Sequence, residues 1–264
     1  MNNILSEKKL SNIITKNNIP KSIKKYLDIN NQYSFNYSNE AYSIYIKEKE
    51  IYLKIGKNLE QEMLNTIYFN KKGLSEEVIE FAQDENYDYL LIKNTKGENG
   101  VQKKYLENPK KLAEHFGTYL RKIHSIKYDD SPNILIMEEF INQARENVAN
   151  RAFNIQSFFE NNGFTPQKAL LILEDLKSCY INDVYSHGDY RLENIIMDDF
   201  DFKGVVGLDK CGIGDRHYDI CCGLNSLKKN LKTREYNERF LESYGYDEID
   251  KDRLIFCKAL TILI

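Results

Sequence analysis

The chain has 264 residues, of which 42% are hydrophobic and 29% charged, with 37 basic and 40 acidic side chains and a net charge of -3. This length is long for one compact domain and favours two lobes, and the composition is that of a globular rather than a disordered protein. The two signs of charge are mixed along the chain, so we expect no nucleic-acid partner.

The start of the chain lacks the continuous apolar core of a signal peptide, and no apolar run reaches membrane-spanning length. The 5 cysteines are an odd number without metal-type spacing. Reduced thiols in a cytosol are the simplest interpretation. We therefore expect a cytoplasmic protein that acts as a monomer without a membrane partner.

The first structural signal is a β-hairpin. Apolar and polar side chains alternate in two runs, at Tyr42, Ile44 and Ile46 and at Ile51 and Leu53. The charged segment Lys47–Glu50 lies between them, which is typical of a hairpin turn. Residues 36–39 come before the hairpin, and we expect them to form a loop that covers a nucleotide. In that loop Ser38 would contribute its hydroxyl and backbone N–H.

Lys54 ends the second predicted strand, and Glu62 lies in the helix predicted at residues 60–70. In kinases a strand lysine contacts the α- and β-phosphates of the nucleotide, and a helix glutamate orients that lysine. The alternative is an exposed lysine and a solvated glutamate, which a chain rich in charge supplies freely.

A further apolar strand is predicted at residues 87–92, followed by the polar segment Lys93–Gly97. We place the hinge between the lobes in this segment, so that residues 1–94 form the nucleotide-clamping lobe and residues 95–264 the lobe with the catalytic loop and acceptor site. Backbone groups of the hinge, including those of Lys93 and Thr95, would bind the purine. Side-chain identity therefore does not discriminate ATP from GTP.

The second lobe is predicted to be mainly helical. Asn108 and Pro109 are a typical N-cap and first-turn pair for a helix with apolar residues at helical spacing. His115 and His124 on or beside that helix are expected to pack or to form hydrogen bonds. Further helices are predicted at residues 132–162, 166–179, 218–230, 233–244 and 250–264.

A candidate catalytic loop begins at His187, which is followed by Gly188 and Asp189 and, five residues after the aspartate, by Asn194. This is the H-x-D-x-x-x-x-N order of a kinase catalytic loop, in which the aspartate receives the proton of the acceptor hydroxyl and the asparagine holds Mg²⁺. The alternative is an ordinary turn followed by a strand.

Two strands that form a hairpin are predicted after this loop, at residues 195–197 and 204–206, with an acidic turn at Asp198 and Asp199. The segment GDRHYDI follows at residues 214–220. Its Asp215 and Asp219 can hold the loop through backbone amides.

With these motifs in order, the chain resembles the aminoglycoside phosphotransferases from about Tyr37 to its end, and the 3′-phosphotransferase branch most. The matching segments are IYLKI at 51–55, LEQE at 59–62, IHSI at 123–126, SHGD at 186–189 and GDRHYDI at 214–220. The resemblance implies an α+β, protein-kinase-like fold with a small antiparallel-sheet lobe and a larger, mainly helical lobe. It also implies transfer of the γ-phosphate of ATP or GTP, with Mg²⁺, to a hydroxyl of a small molecule, and a role in antibiotic resistance.

The chain departs from the family at the second metal ligand, an aspartate in a D-x-G arrangement. Here Gly207 occupies that position and Asp209 stands where the glycine should be, so the segment reads G-L-D. Either Asp209 swings into place or the second ligand is missing. We expect Asp209 to be the ligand because Gly207 lets the chain bend.

A second departure concerns the acceptor. Family members bind polycationic drugs with carboxylates, some of them close to the C-terminus, whereas no acid follows Asp252 here. Three glutamates in the substrate-facing helices could compensate, namely Glu138, Glu139 and Glu146. Two alternatives stay open: a kinase for another hydroxylated metabolite, such as a sugar, choline-like or nucleoside-like compound, and a degenerate member that binds nucleotide with little or no transfer.

Overall fold

The computed structural model describes residues 19–28, 31–38, 41–152 and 165–264, with the backbone alone at residues 37 and 38. The chain divides into two compact units, Met1–Lys96 and Gly97–Ile264. The first unit is built on an antiparallel sheet and the second is mainly helical, so the expected α+β architecture is confirmed.

The sheet of the first unit has the strand order β1-β2-β3-β5-β4, and all its neighbours are antiparallel. Its strands are β1 (Tyr33–Ser38), β2 (Ala41–Ile46), β3 (Ile51–Gly56), β4 (Val78–Gln83) and β5 (Asp88–Lys93). Helix α1 (Lys21–Lys24) precedes the sheet, and α2 (Glu60–Lys71) follows β3. The predicted hairpin is thus confirmed as β2 and β3, and the predicted helix with Glu62 as α2.

Alternation on the strands builds the core of this unit. Side chains two residues apart share a face of a sheet. The fully buried apolar side chains of the central strands include Ile44, Leu53, Ile55, Tyr89 and Leu91. The face that they form fixes the register of the sheet, because a shift by one residue would move all of them to the opposite face.

The loop predicted at residues 36–39 is wrong over most of its length, because residues 36–38 belong to β1 and Ser38 pairs with Ala41. The alternating residues Tyr33, Phe35 and Tyr37 extend the two-residue period up to this point, which explains the strand. Residues 39–40 and the side chain of Ser38 lie outside the described part of the chain. A nucleotide-binding role for Ser38 therefore stays a prediction.

Two strand boundaries also differ from the predictions. Lys54 lies inside β3, two residues before its end, and pairs with Ser43 and Leu90. Lys93 is the last residue of β5, not the first residue of a hinge, and its N–H donates to the Glu77 carbonyl at 3.0 Å. Cross-strand pairing therefore extends one residue further than the apolar run.

The second unit contains seven described α-helices: α3 (Lys103–Leu106), α4 (Pro109–His124), α5 (Met137–Ala149), α6 (Pro166–Leu176), α7 (Arg216–Leu231), α8 (Asn237–Tyr244) and α9 (Lys251–Leu263). One apolar core joins α5, α6, α7 and α9 through buried residues that include Ile141, Leu173, Phe256 and Leu260. Helix α5 begins later than residue 132 because Ile134 forms a bridge with Ile213. Residues 153–162 of the predicted helix lie outside the described ranges.

Helix α4 begins at the predicted residue, but the predicted capping by the Asn108 side chain is wrong. Asn108 is the N-cap residue and Pro109 opens the helix, but the asparagine side chain makes no capping bond. Its Nδ2 donates instead to the Lys104 carbonyl at 3.0 Å. Asn108 therefore links α4 to the preceding short helix.

Two small sheets carry the loop of interest. The strands are β6 (Glu98–Asn99), β7 (Val184–Ser186), β8 (Ile195–Asp198), β9 (Asp201–Val205) and β10 (Gly212–Gly214). Strand β7 pairs with β10, and β8 lies between β6 and β9. The predicted hairpin after the loop is confirmed as β8 and β9, although β9 begins three residues earlier than expected.

Candidate active site

The loop between β7 and β8 brings together the two residues that the motif predicts. Asn194 ends a 3₁₀ turn (Leu192–Asn194) directly before β8. Its Nδ2 donates to the carbonyl of Asp189 at 2.8 Å and to the carboxylate Oδ2 of Asp189 at 3.0 Å. The Asp189 side chain is 20% exposed. A carboxylate and an amide thus lie in direct contact and within reach of solvent.

Asp219, near the start of α7, holds this loop from beneath. Its carboxylate is fully buried and accepts hydrogen bonds from the N–H groups of His187 at 2.6 Å and Gly188 at 2.9 Å. The Ser186 hydroxyl and His124 Nε2 also donate to it, at 2.9 and 3.1 Å. The predicted bonds from backbone amides to Asp219 are confirmed, as is the hydrogen-bonding role of His124.

The charge of Asp219 is stabilised in this position. Burial alone would raise the pKa of its carboxyl group, but the hydrogen bond and charge of His124 and the contacts with His187 outweigh burial and hold that pKa below its usual value. Asp219 is therefore ionised at neutral pH, and a buried anion with this many donors fixes the loop strongly.

The backbone of the loop requires its own residue types. His187 Nε2 donates to the Val206 carbonyl at 3.1 Å, while its Nδ1 accepts the N–H of Asp189 at 3.3 Å. Gly188 has a φ of +75°, and a Cβ at this position would lie 2.0 Å from the carbonyl oxygen of Lys210. Only glycine fits at this point, which explains the His-Gly-Asp sequence in local terms.

Asp215 does not anchor the loop, contrary to the prediction. It is the N-cap of α7, where it accepts the N–H of His217 at 2.9 Å. It also accepts from the N–H of Ile181 at 3.2 Å and from Arg253 Nε at 2.8 Å. Its position directly before the helix commits the carboxylate to the helix start, and Asp215 therefore ties α7 to α9 and to the segment before β7.

The segment after β9 places a glycine, not a carboxylate, beside Asn194. Gly207 has a φ of +71°, and a Cβ built on it would lie 3.0 Å from Asn194 Oδ1. Leu208 is buried, whereas Asp209 is exposed in the following turn. The residue that faces the Asn194 amide is thus a glycine, and the carboxylate that the resemblance implies lies two residues further along.

These residues fit a magnesium ion that takes few ligands from the protein. A Cβ at position 207 would lie 3.0 Å from Asn194 Oδ1 and 3.2 Å from Asn194 Nδ2, and this nitrogen also donates to Asp189. Within the described ranges no group of three or more His, Cys, Asp and Glu side chains could hold a metal ion. Mg²⁺ commonly binds one or two protein oxygens and completes its shell with water and phosphate oxygens.

In the first unit, Lys54 Nζ forms an ion pair with Glu62 Oε1, as the kinase pattern predicts. The Glu62 side chain is 5% exposed and that of Lys54 is 23% exposed, so the alternative of a solvated glutamate is wrong. Thr95 is buried, and the N–H of Asn94 donates to the Glu50 carbonyl at 2.9 Å. Contact of Lys54, Glu62, Lys93 or Thr95 with a nucleotide stays a prediction.

Two residues near the loop were not singled out from the sequence. Arg191 forms an ion pair with Asp189, and Ser226 on α7 accepts the N–H of Leu192 at 3.0 Å. A cation two residues after the aspartate is a signal that the motif could have given. Ser226 offers no such signal, because its role depends on how α7 packs. The three glutamates proposed for the acceptor are exposed on α5.

The fold and the loop define a kinase-like phosphotransferase, and comparison with known proteins agrees. The family model described as "Phosphotransferase enzyme family" matches residues 71–255, so the chain belongs to this family. A probable aminoglycoside 3′-phosphotransferase of Lactococcus lactis is 38% identical over 225 residues, which are 84% of this chain and 86% of that protein. The suspected family and enzyme class are confirmed.

Solved structures agree on the fold. A crystal structure of an aminoglycoside-3′-phosphotransferase of type VIII has a TM-score of 0.74 at 18% identity, with 92% of this chain and 98% of that chain covered. An aminoglycoside phosphotransferase of Streptomyces rimosus, solved with ADP and streptomycin, has a TM-score of 0.69 at 20% identity, covering 87% and 92%. The fold is therefore protein-kinase-like.

No helix in the described part of the chain is long and apolar enough to cross a membrane.

Proposed function

We propose that this chain transfers the γ-phosphoryl group of ATP or GTP to a hydroxyl of a small molecule, in the manner of an aminoglycoside 3′-phosphotransferase. The observation that carries the proposal is the contact of Asp189 with Asn194 in a loop that a buried carboxylate holds. The relative from Lactococcus lactis, at 38% identity, supports the same reaction class.

In this reaction the acceptor oxygen forms a bond to the γ-phosphorus as the bond from that phosphorus to the β–γ bridging oxygen breaks. Asp189 accepts the hydroxyl proton, and the nucleoside diphosphate leaves. Proton transfer to a positioned carboxylate usually contributes about 10²–10⁴-fold to the rate. Asn194 orients Asp189 through its Nδ2.

The first unit is the proposed nucleotide-clamping lobe. Its Lys54 would contact the α- and β-phosphates while the buried Glu62 holds the lysine in place. The predicted contributions of Ser38 and Lys93 belong to the same lobe, and the predicted contribution of Thr95 comes from the residue directly after it. Residues 95–264 form the proposed catalytic and acceptor lobe, and the enzyme is proposed to be a cytoplasmic monomer.

Magnesium is the proposed metal, with Asn194 and Asp209 as its protein ligands. Bound there, it would neutralise charge on the phosphates of the donor. The Asn194 side chain contacts Asp189 through its Nδ2, and its Oδ1 is the atom proposed to bind the cation. Asp209 is exposed and follows Gly207, a residue with an unusual backbone conformation.

An aminoglycoside is the first acceptor to test, because the relatives carry aminoglycoside 3′-phosphotransferase names. The exposed glutamates Glu138, Glu139 and Glu146 on α5 could attract a polycation. A solvated helix face explains them equally well, and in that case the acceptor would be another hydroxylated metabolite. A panel of kanamycin-type drugs, sugars, choline and nucleosides decides between these classes.

The decisive experiment compares Asp189→Asn with the wild type in a turnover assay with ATP or GTP and Mg²⁺. We expect kcat to fall by about 10²–10⁴-fold, with nucleotide binding unchanged in a calorimetric titration. Asp129→Asn, an exposed aspartate in a turn, is the matched control and should turn over normally. Turnover at the wild-type rate in the Asp189 variant would end the assignment.

The second candidate is a protein that binds nucleotide with little transfer, and the glycine at position 207 favours it. Thermal-shift titration with Mg²⁺ and ATP or GTP, paired with the acceptor panel, separates the two candidates. Binding without turnover on any acceptor would support the second. Absence of both binding and turnover would contradict both.

A further inference from the structure

The candidate catalytic loop has a second contact with α7, at the end of the loop that leads into β8. Ser226 is 4% exposed, and its Oγ accepts the N–H of the fully buried Leu192 at 3.0 Å. Asp219 and Ser226 are about two helical turns apart on α7, or about 10.5 Å of rise, so they lie on one face of the helix. This face of α7 therefore contacts the loop both before and after Asp189.

The Ser226 hydroxyl uses its full hydrogen-bonding capacity at this contact. A serine hydroxyl has one proton to donate and two lone pairs that accept. It accepts from the N–H of Leu192 at 3.0 Å and from Asn230 Nδ2 at 3.5 Å, and it donates to Glu193 Oε2 at 3.5 Å. Asn230 Nδ2 also donates to the Ser226 carbonyl at 2.9 Å. The bond from Leu192 is the shortest of the three at the hydroxyl, so this backbone amide is the principal partner of Ser226.

Leu192 is held from two directions. Its N–H donates to Ser226, and its carbonyl accepts the N–H of Gly100 at 2.8 Å. Its side chain is fully buried. Buried backbone groups are nearly always paired, and leaving one unpaired costs free energy. Removal of the Ser226 hydroxyl would therefore leave the Leu192 amide without its acceptor, unless the loop moves at this point.

Leu192 is also the first residue of the 3₁₀ turn that ends at Asn194. In this turn the N–H of Asn194 donates to the Arg191 carbonyl at 2.9 Å, and Asn194 Nδ2 contacts Asp189. A turn of 3 residues couples its two ends closely, so a shift at Leu192 also moves the Asn194 amide. Mg²⁺ requires near-octahedral oxygens at about 2.0–2.1 Å. A small displacement of Asn194 Oδ1 would therefore weaken metal binding.

We propose that Ser226 is a positioning residue, which holds Asn194 in place for Mg²⁺ by accepting the N–H of Leu192. Asp219 positions the part of the loop before Asp189, and Ser226 positions the part after it, so one helix holds the carboxylate and the amide separately. Replacing a residue that orients a metal ligand typically changes metal affinity or activity by about 10–100-fold. This inference rests on the proposed phosphotransferase function and its Mg²⁺ site.

The test uses the full chain and measures, by calorimetry, the Mg²⁺ concentration needed for half-maximal binding of ATP or GTP. Ser226→Ala removes the acceptor and should raise this concentration roughly tenfold. Ser226→Cys keeps nearly the shape of serine but has a weak acceptor, so it should give a rise in the same direction. It also carries the test if the alanine variant fails to fold. Ser226→Thr keeps the hydroxyl and should stay within about twofold of the wild type.

A purely stabilising role for Ser226 has a different signature. Such a role would lower the free energy of unfolding of Ser226→Ala and leave the Mg²⁺ requirement of the folded protein unchanged, and this result would overturn the proposal. The matched control is Ser243→Ala, since Ser243 is a partly buried helix serine whose Oγ donates to the Arg239 carbonyl at 2.8 Å. Its Mg²⁺ requirement should equal that of the wild type.

Amide hydrogen exchange in the protein without metal or nucleotide separates failure of the inference from failure of the function. In Ser226→Ala the amide of Leu192 should exchange roughly tenfold faster than in the wild type, as expected for loss of a buried hydrogen bond. Faster exchange together with a raised Mg²⁺ requirement supports the inference. Unchanged exchange, or faster exchange with an unchanged Mg²⁺ requirement, overturns the role of Ser226 alone. Wild-type protein that binds no nucleotide at any Mg²⁺ concentration overturns the phosphotransferase assignment together with this inference.

Discussion

The loop from Ser186 to Asn194 and the segment from Val206 to Asp209 carry the two halves of the proposed site, and they are anchored very differently. The loop is held by a buried carboxylate that accepts four hydrogen bonds, two of them from backbone N–H groups. The segment is connected to the loop by hydrogen bonds of the Val206 N–H with the Asn194 carbonyl and of the Val206 carbonyl with His187 Nε2, and it ends in an exposed aspartate. The position of the first region is fixed by this buried network, whereas in the second region the Asp209 side chain is exposed and can change at little structural cost.

This difference in anchoring predicts which residues of the site tolerate substitution. The proton acceptor and the amide depend on a loop whose His187 and Gly188 N–H groups donate to the buried Asp219, so a change there leaves a costly unsatisfied group. The proposed metal-binding segment depends on Gly207, whose φ is positive. A departure from the family pattern is therefore easier at Asp209 than in the loop.

The largest expected effect comes from breaking the anchor with Asp219→Asn. The buried carboxylate loses its charge while its four donors remain, which should lower the free energy of unfolding by about 3–5 kcal/mol. Chemical denaturation of the apo protein measures this loss. Asp175→Asn, on the described helix α6, offers a control in which we expect a change of less than about 0.5 kcal/mol.

The same variant should change the pH dependence of stability. The pKa of Asp219 in the folded protein lies below its usual value of 3.8, so its ionised form stabilises the fold above that value. This stability is lost as the pH falls through the folded-state pKa. The stability curve of Asp219→Asn should therefore be flatter on the acid side. A curve parallel to that of the wild type would show that this carboxylate does not contribute.

A smaller effect is expected when the exposed carboxylate is removed by Asp209→Asn. If Asp209 binds the metal, the Mg²⁺ concentration needed for half-maximal nucleotide binding should rise roughly tenfold, because a charged oxygen ligand becomes neutral. Asp199→Asn, in the turn between β8 and β9, is the control. An unchanged Mg²⁺ requirement would exclude Asp209 as a ligand.

A further variant restores the D-x-G arrangement of the family at positions 207–209. The double variant Gly207→Asp with Asp209→Gly places a carboxylate beside Asn194, and its Cβ would lie 3.0 Å from the amide oxygen. Aspartate tolerates a positive φ better than most residues. The Mg²⁺ requirement should fall below that of the wild type by up to roughly tenfold. Gly207→Ala adds the Cβ without the charge and should not lower it.

The smallest effect is expected in the other unit. Glu62→Gln keeps the shape of a buried partner of Lys54 but removes its charge. We expect nucleotide affinity to fall by roughly fivefold, since hydrogen bonds to charged groups are worth about 1.5–3 kcal/mol and glutamine keeps part of the interaction. Glu60→Gln, exposed on the same helix, is the control. Equal affinities in both variants would contradict a nucleotide-orienting role for Glu62.

Much of the fold could be predicted from the sequence where the spacing of apolar residues and a residue typical of an element's end indicated the same helix or strand. Alternation gave β2 and β3, and the Asn-Pro pair gave the start of α4. The His-x-Asp and Asn spacing brought Asp189 and Asn194 together because both lie on one short loop. The errors arose where pairing extended past the apolar run, as at Lys93, or where a polar residue had two possible partners. Asp215 illustrates the second case, because its role depends on the helix that follows.

The remaining features could not be predicted because they depend on distant segments. Ser226 meets the loop only because α7 packs beneath it. The buried Nε of Arg191 is visible only when the surroundings of the side chain are known. The order Gly207, Leu208, Asp209 was clear from the sequence, but which of its residues faces Asn194 required coordinates.

The hydrogen bond from His187 to the Val206 carbonyl joins the loop and the segment after β9 directly. Because the His187 imidazole bonds to both the loop and the segment after β9, thermal motion that displaces one of them also disturbs the other. On gradual heating, catalytic competence and metal response should therefore disappear together at a single temperature.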